Sequence, residues 1–208
     1  MRSEYITREV WQALLPSMTY PNALAIAVSL ETGLRIGDVL QLQVSDLSDN
    51  SISYVAQKTG KAGTAACSPS LIARLRSNAH GGTCCFPARF GSKHSCRSRQ
   101  AVWANVRKAA TAAGIKPHVS PHTARKTYAV DLYHKRGIAA VQTALQHGSV
   151  NTTNLYALAD AQGATYDRDR LVRDVAAEVM RRLSQTLGAD LDAEPPEPPE
   201  ITGEDELM

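Results

Sequence analysis

Apolar residues recur along most of this chain at spacings of three and four, the period of an amphipathic α-helix. Two short stretches break that period and have strand character, residues 52–56 and about 63–67. Between them, residues 58–61 have the composition of a hairpin turn. Helices are predicted at about residues 7–15, 22–32, 35–42, 68–75, 97–113, 122–136, 138–146, 151–157 and 168–187. The pattern therefore predicts a mainly α-helical, α+β domain with one small antiparallel sheet.

Several predicted helix ends carry residues with a physical preference for them. Ser68 followed by Pro69 is typical of a helix start. Gly33 and Gly137 close predicted helices, since glycine readily adopts the left-handed conformation common there. Residues 79–95 contain Gly, Cys and Pro without a helical period, so we expect a loop.

The last twenty residues differ in composition from the rest of the chain. Residues 189–208 hold eight acidic residues and four prolines but no Lys or Arg. Such a segment cannot bury enough apolar surface to order itself, so we expect it to be disordered. We therefore expect one folded domain over residues 1–188, including the helix at about 168–187, and an acidic tail over 189–208.

The formal net charge of +3 hides an uneven distribution. The acidic tail holds eight of the 20 acids and none of the 23 basic residues, so the first 188 residues carry a formal charge of +11. A polyanion such as a nucleic acid is a natural partner for that charge. A merely solvated basic surface would have the same composition.

The compartment and the metal chemistry can also be predicted from the sequence. No apolar run approaches the roughly 20 residues of a membrane helix, and the N-terminus lacks a signal-peptide apolar segment. We therefore expect an intracellular protein without a membrane partner. In that compartment Cys67, Cys84, Cys85 and Cys96 should stay reduced. A zinc site made of the last three with His94 is the alternative, but the spacing matches no common pattern.

Six residues are candidates for one reaction. They are Arg35, Lys58, His122, Arg125, His147 and Tyr156. Together they supply cations, imidazoles and a phenol, a set that suits attack on a phosphodiester without a metal ion. Two of them, His122 and Arg125, are one helical turn apart and face the same way. Each motif alone would also fit a charged helix surface or a core tyrosine.

The segments that carry these residues resemble the motifs of the tyrosine recombinase, or phage integrase, family. The family patterns are TGLRxxExxxLxxxDI, a KTGK-like turn, HxLRHT and LGHxxxxxTxxYxH. The matching segments are residues 32–47, 58–61, 122–127 and 145–158. Asp38 stands where glutamate is commoner, and Gln146 and Leu158 depart from the last pattern at non-catalytic positions. The resemblance covers roughly residues 7–180.

The resemblance implies a tyrosine nucleophile and an arginine pair. Tyr156 would attack the scissile phosphate and form a 3′-phosphotyrosine. Arg35 and Arg125 would bind the non-bridging oxygens, because a guanidinium fork matches phosphate geometry and stays charged.

The resemblance also implies the proton-transfer groups. Lys58, on the hairpin, would protonate the leaving 5′ oxygen, and His122 would assist proton transfer on the nucleophile side. His147 would hydrogen-bond the phosphate. No cofactor and no metal are implied, since the arginines supply the electrostatic stabilisation.

As a whole, the resemblance implies the catalytic domain of a site-specific DNA recombinase, an integrase or invertase. The implied partners are double-stranded DNA and further copies of the chain, as a tetramer on paired sites. The helix at about 168–187 would dock onto a neighbouring subunit, and accessory DNA-bending proteins are compatible with this scheme. The implied location is the cytoplasm, with a bacterial, archaeal or phage origin.

Two alternatives on the same fold remain. One is DNA relaxation of the type IB topoisomerase kind, which uses the same side-chain types without partner exchange. The other is a non-catalytic DNA-binding regulator. The family usually carries an N-terminal DNA-clamping domain, whereas here the catalytic pattern starts almost at Met1. We expect either a fragment of a longer protein or a small stand-alone member, such as the fimbrial inversion recombinases.

Overall fold

The computed structural model describes residues 4–88, 96–115 and 117–145. In those ranges the chain forms helices and one two-stranded sheet. The elements are α1 (Arg8–Leu14), α2 (Tyr20–Thr32), α3 (Ile36–Leu40), β1 (Ser51–Val55), β2 (Ala62–Ala66), α4 (Pro69–Asn78), α5 (Arg99–Ala112) and α6 (Pro121–Leu145). The predicted mainly α-helical class with a small antiparallel sheet is confirmed.

Three sequence predictions fall beyond those ranges. The helices at about 151–157 and 168–187 and the acidic tail at 189–208 lie outside the described residues. The domain limit at residue 188 therefore stays a prediction.

Helix α2 lies at the centre of the fold. Its residues Leu24, Ile26 and Val28 are buried although they point to different sides, since α2 packs against α3, α4, α5 and α6. Trp11 from α1 and Phe86 complete the same core. In the part of the chain described, no helix is long and apolar enough to cross a bilayer.

Helix α6 is fixed to the N-terminal helix by buried polar contacts. The indole Nε1 of Trp11 donates to the Thr127 hydroxyl at 3.1 Å, and that hydroxyl donates to the Ile6 carbonyl at 2.7 Å. Arg8 forms an ion pair with Asp131, with Nε 2.7 Å from Oδ2. These contacts orient the helix that begins with the HxxR motif.

A bend at Gly137 divides α6. The residue has φ 75° and ψ −178°, which is not helical, yet helix continues on both sides of it. The two helices predicted at 122–136 and 138–146 are therefore present, joined directly at a bend. Glycine suits the position because a positive φ is costly for other residues.

The hairpin of β1 and β2 lies over one side of the core. The strands are antiparallel, and the register places Tyr54 opposite Gly63 and Val55 opposite Ala62. Ile52 is buried and Tyr54 half-buried, whereas Ser53 and Val55 face outward. The alternation gives the hairpin an inner face on the domain and an exposed outer face.

The cysteine prediction is wrong for one pair. Cys84 and Cys96 form a disulfide with their Cα atoms 6.1 Å apart, so they are not available together as zinc thiolates. The cause is tertiary: bridges from Gln43 to Cys84 and from Pro87 to Cys96 fold this segment back on itself. No group of three metal-ligating side chains occurs among the described residues, and the fourth suggested ligand, His94, lies outside them.

The other two cysteines are free and buried. Desolvation by burial, followed by the charge of Glu31, raises the pKa of Cys67 to about 11. Burial, followed by the charge of Asp46, raises the pKa of Cys85 to about 12. Both groups are therefore neutral thiols at physiological pH.

Candidate active site

The loop between α2 and α3 requires a glycine. Gly33 ends α2 with φ 73°, and its N–H donates to the Ser29 carbonyl at 2.9 Å. A Cβ at this position would lie 2.4 Å and 2.5 Å from two ring atoms of Tyr128. The close approach brings the loop directly against α6, which carries the second arginine of the site.

Hydrogen bonds fix the same loop internally. The Ser29 hydroxyl donates to the Leu34 carbonyl at 2.8 Å, and the Leu34 N–H donates to the Thr32 hydroxyl at 3.3 Å. Arg35 follows as the N-cap residue of α3, with an extended backbone and a partly exposed side chain. A rigid backbone therefore presents the guanidinium of Arg35 at the domain surface.

Arg125 is 4% exposed and links two segments of the chain. Its Nη1 donates to the Gly33 carbonyl at 2.6 Å, and its Nη2 donates to the Leu145 carbonyl at 2.9 Å. Gly33 lies two residues before Arg35, and Leu145 two residues before His147. One guanidinium thus connects the first arginine loop to the end of α6.

His122 lies in the first turn of α6 and is exposed. Desolvation by neighbouring atoms, and then the positive charges of Lys126, Arg125 and Arg35, lower the pKa of its imidazole to about 4. Because the side chain is exposed, the three cations are the firmer cause. The imidazole is therefore neutral at pH 7 in the DNA-free protein.

Lys58 is exposed in the hairpin turn, and the residue before it is tied to α3. Asp38 is 5% exposed, and its Oδ1 accepts a hydrogen bond from the Gln57 N–H at 3.0 Å. Asp38 also follows Arg35 by one helical turn. The sequence marked Asp38 only as part of a motif, and the spacing of three from Arg35 was the available signal for a place in the site.

Tyr54 is a second neighbour of the site that the sequence did not single out. The desolvation of its phenol raises its pKa, while the charges of Arg125 and Arg35 lower it and that of Asp38 raises it. The net direction is upward, so the hydroxyl stays protonated at neutral pH. The strand alternation, which places Tyr54 on the inner face of β1, was the signal that could have indicated it.

The structure brings three of the six candidate residues together. Arg35, His122 and Arg125 lie within electrostatic range of one another around the start of α6. Lys58 is placed by the hairpin, whose base is joined to α3 through Asp38. His147 and Tyr156 lie outside the described residues.

Comparison with known families gives this arrangement a context. The model of the phage integrase family matches residues 4–162, most of the chain and all six candidate residues. The chain belongs to the phage integrase family. This membership agrees with the resemblance of its motifs.

Curated relatives of this phage integrase family chain include two kinds of bacterial recombinase. The tyrosine recombinase XerD of Mycobacterium leprae is 31% identical over 156 residues, which cover 68% of this chain and 49% of the relative. The tyrosine recombinase XerC of Xanthomonas campestris pv. campestris is 30% identical over 138 residues, which cover 63% of this chain and 42% of the relative. The chain thus spans about half the length of these relatives.

Solved structures of integrases share the fold. Lambda integrase, residues 75–356, bound to DNA has a TM-score of 0.66 at 18% identity, covering 81% of this chain and 64% of that one. A lambda integrase dimer bound to a COC′ core site has a TM-score of 0.64 at 20% identity, covering 80% and 51%. The six helices and hairpin described for this phage integrase family chain therefore have the architecture of an integrase catalytic domain.

Proposed function

We propose that this protein is a site-specific DNA recombinase that cleaves and rejoins DNA through a 3′-phosphotyrosine. The observation that carries the proposal is the convergence of Arg35, His122 and Arg125, which come from motifs about 90 residues apart, in a phage integrase family chain. Three cationic or hydrogen-bonding groups at one surface suit a phosphate with two non-bridging oxygens.

The nucleophile in this proposal is Tyr156. Its oxygen attacks the scissile phosphorus, a P–O bond to the tyrosine forms, and the bond to the 5′ oxygen breaks. The rejoining step reverses these changes with a 5′ hydroxyl from another strand. The phosphotyrosine conserves the energy of the broken phosphodiester, so the scheme needs no nucleotide cofactor.

Proton transfer falls to His122 and Lys58. The lowered pKa of His122 leaves a neutral imidazole, the form that can accept the phenol proton of Tyr156. Lys58 would donate a proton to the leaving 5′ oxygen. The bond between Asp38 and the Gln57 N–H would set where the hairpin delivers that lysine.

Double-stranded DNA and further copies of the chain are the proposed partners. The charge of +11 over the first 188 residues favours a polyanion. Lambda integrase, whose fold the chain shares, has been solved as a tetramer bound to a Holliday junction, with a TM-score of 0.63 at 17% identity. We propose a tetramer on paired sites in the cytoplasm, with docking by the helix at about 168–187.

The test is covalent capture of DNA. A library of nicked duplexes with randomised arms is incubated with the protein, and adducts that survive denaturation are recovered and sequenced. We expect adduct with the wild-type chain, in the presence of EDTA as well, and none with Tyr156→Phe. The Phe variant lacks only the attacking oxygen, so its DNA binding should match the wild type.

Other results point to other functions. Adduct formation by Tyr156→Phe would overturn the assignment of the nucleophile. Activity that EDTA removes and magnesium restores would indicate metal-dependent phosphoryl transfer. Relaxation of supercoiled DNA without strand exchange between sites would favour the topoisomerase-like alternative, and sequence-specific binding without any adduct would favour the regulator.

A further inference from the structure

The hairpin approaches the arginine pair with one large polar side chain. Its inner face otherwise carries apolar or small residues near the site: Ile52, Ala56, Gly63 and Ala65. Tyr54 stands opposite Gly63, so the return strand has no side chain at that position of the same face. The ring therefore has room to turn toward the domain, and Tyr54 packs against the main core.

The hydroxyl of Tyr54 lies among charged groups. Its oxygen is within electrostatic range of both Arg125 and Arg35 and of the Asp38 carboxylate. Asp38 and Tyr54 also line one cavity of about 640 Å³ between the hairpin and α3. A neutral phenol can accept a hydrogen bond from a guanidinium and donate one to a carboxylate. No other kind of hydroxyl group on the inner face of the hairpin is placed among these three ions.

We propose that Tyr54 is a positioning residue for the arginine pair: its hydroxyl holds Arg35 and Arg125 in the orientation that binds phosphate. Two like-charged guanidinium groups repel, and a small misplacement of a group that stabilises the transition state is costly. The inference rests on the proposed recombinase function. It extends that function by linking hairpin placement to the arginines, in addition to the delivery of Lys58.

The test begins with Tyr54→Phe, which keeps the ring and removes only the hydroxyl. Single-turnover cleavage is measured on a nicked duplex recovered with the wild-type protein, at saturating protein concentration. A neutral hydrogen bond contributes about 1 kcal/mol, so we expect cleavage roughly five- to tenfold slower. DNA affinity and the denaturation midpoint should match the wild type. Tyr20→Phe, which changes a tyrosine that is 53% exposed at the start of α2, is the matched control and should cleave normally.

Two modified substrates identify the group through which Tyr54 acts. A methylphosphonate at the scissile position lacks one negatively charged oxygen and needs less from the arginines, so the deficit of Tyr54→Phe should shrink to within about twofold there. A 5′-bridging phosphorothiolate has a leaving group that needs no proton, so it should rescue Lys58→Ala and leave the Tyr54→Phe deficit in place.

Three results would overturn the inference. They are cleavage by Tyr54→Phe at the wild-type rate, an equal deficit on methylphosphonate and ordinary DNA, and rescue by the phosphorothiolate. The first shows that the hydroxyl is dispensable, the second that its role is only structural, and the third that it acts through Lys58. Failure of the proposed function is distinguishable, because the wild-type chain would then form no adduct that depends on Tyr156.

Discussion

At the scale of single residues, the site depends on side chains that hold other groups in place. Arg125 bonds to two backbone carbonyls, and Asp38 bonds to the backbone beside the lysine turn. These contacts give each residue a measurable effect that differs from direct participation in the chemistry.

Asp38→Ala should slow cleavage by releasing the hairpin base. A hydrogen bond to a charged group contributes about 1.5–3 kcal/mol, so a loss of roughly tenfold or more in single-turnover rate is expected. Because the effect passes through Lys58, a 5′-bridging phosphorothiolate substrate should restore most of the rate. Asp38→Asn retains an acceptor for the Gln57 N–H and serves as the control. A deficit that the phosphorothiolate leaves unchanged would show that Asp38 does not act through the lysine.

His122 should make the free protein sensitive to acid. Its pKa in the folded protein is about 4, below the ordinary value of 6.5, so the unfolded chain binds the proton first as the pH falls. Its effect on stability is absent above pH 6.5 and grows as the pH falls from 6.5 toward 4. His122→Asn should therefore lose less stability than the wild type in urea titrations between pH 7 and pH 5. An imidazole resonance that titrates near 6.5 in NMR spectra would contradict this.

The sequence predicted the chemistry of the site better than its supports. The types and spacing of Arg35, His122 and Arg125 were sufficient to indicate phosphate chemistry. The partners of Asp38 and Tyr54 depend on how the hairpin folds over α3, which no local pattern specifies. The sequence could place Tyr54 on an inner face, but it could not say which charges that face meets.

At the scale of elements, local signals fixed most boundaries. Ser68 caps α4 by accepting a hydrogen bond from the Leu71 N–H at 3.3 Å, as the Ser-Pro start predicts. Helix α5 begins at Arg99 and not near Arg97, because Ser98 is the residue that caps it, through the Ala101 N–H. These ends were predictable because the deciding contacts lie within four residues.

Gly33→Ala should destabilise the domain more than Gly60→Ala. Both glycines have a positive φ, 73° and 67°, which costs an alanine about 1–2 kcal/mol. At Gly33 the new methyl also meets the Tyr128 ring, and overpacking adds about 1–3 kcal/mol. At Gly60 the methyl meets nothing within 4 Å. Urea denaturation of both variants provides the comparison, and equal losses would show that the ring moves aside freely.

At the scale of the whole molecule, charge separates the basic body from the acidic tail. Deleting residues 189–208 removes eight acids and no Lys or Arg, so a competitor for the DNA-binding surface is lost. Affinity for duplex DNA should rise, and most at low salt, where screening is weakest. Fluorescence anisotropy at two salt concentrations measures this, and equal affinities at low salt would contradict it.

The long-range pairing of Cys84 with Cys96 was the main error of the sequence reasoning. Spacing and compartment were the only guides available, and both favoured free thiols. The pairing follows from backbone bridges that involve Gln43, about 40 residues earlier in the chain. Contacts of this kind arise from the assembled core and carry no signal in a single sequence.

The burial of Arg125 has a consequence for how relatives of this protein should diverge. A lineage that gave up DNA cleavage would still need Arg125, because its guanidinium holds together two loops of the folded chain. Lys58, exposed on a turn, would be free to drift as soon as cleavage no longer mattered. Among descendants of such a protein, an intact second arginine is therefore a poor guide to activity, and the residue in the hairpin turn is the better one.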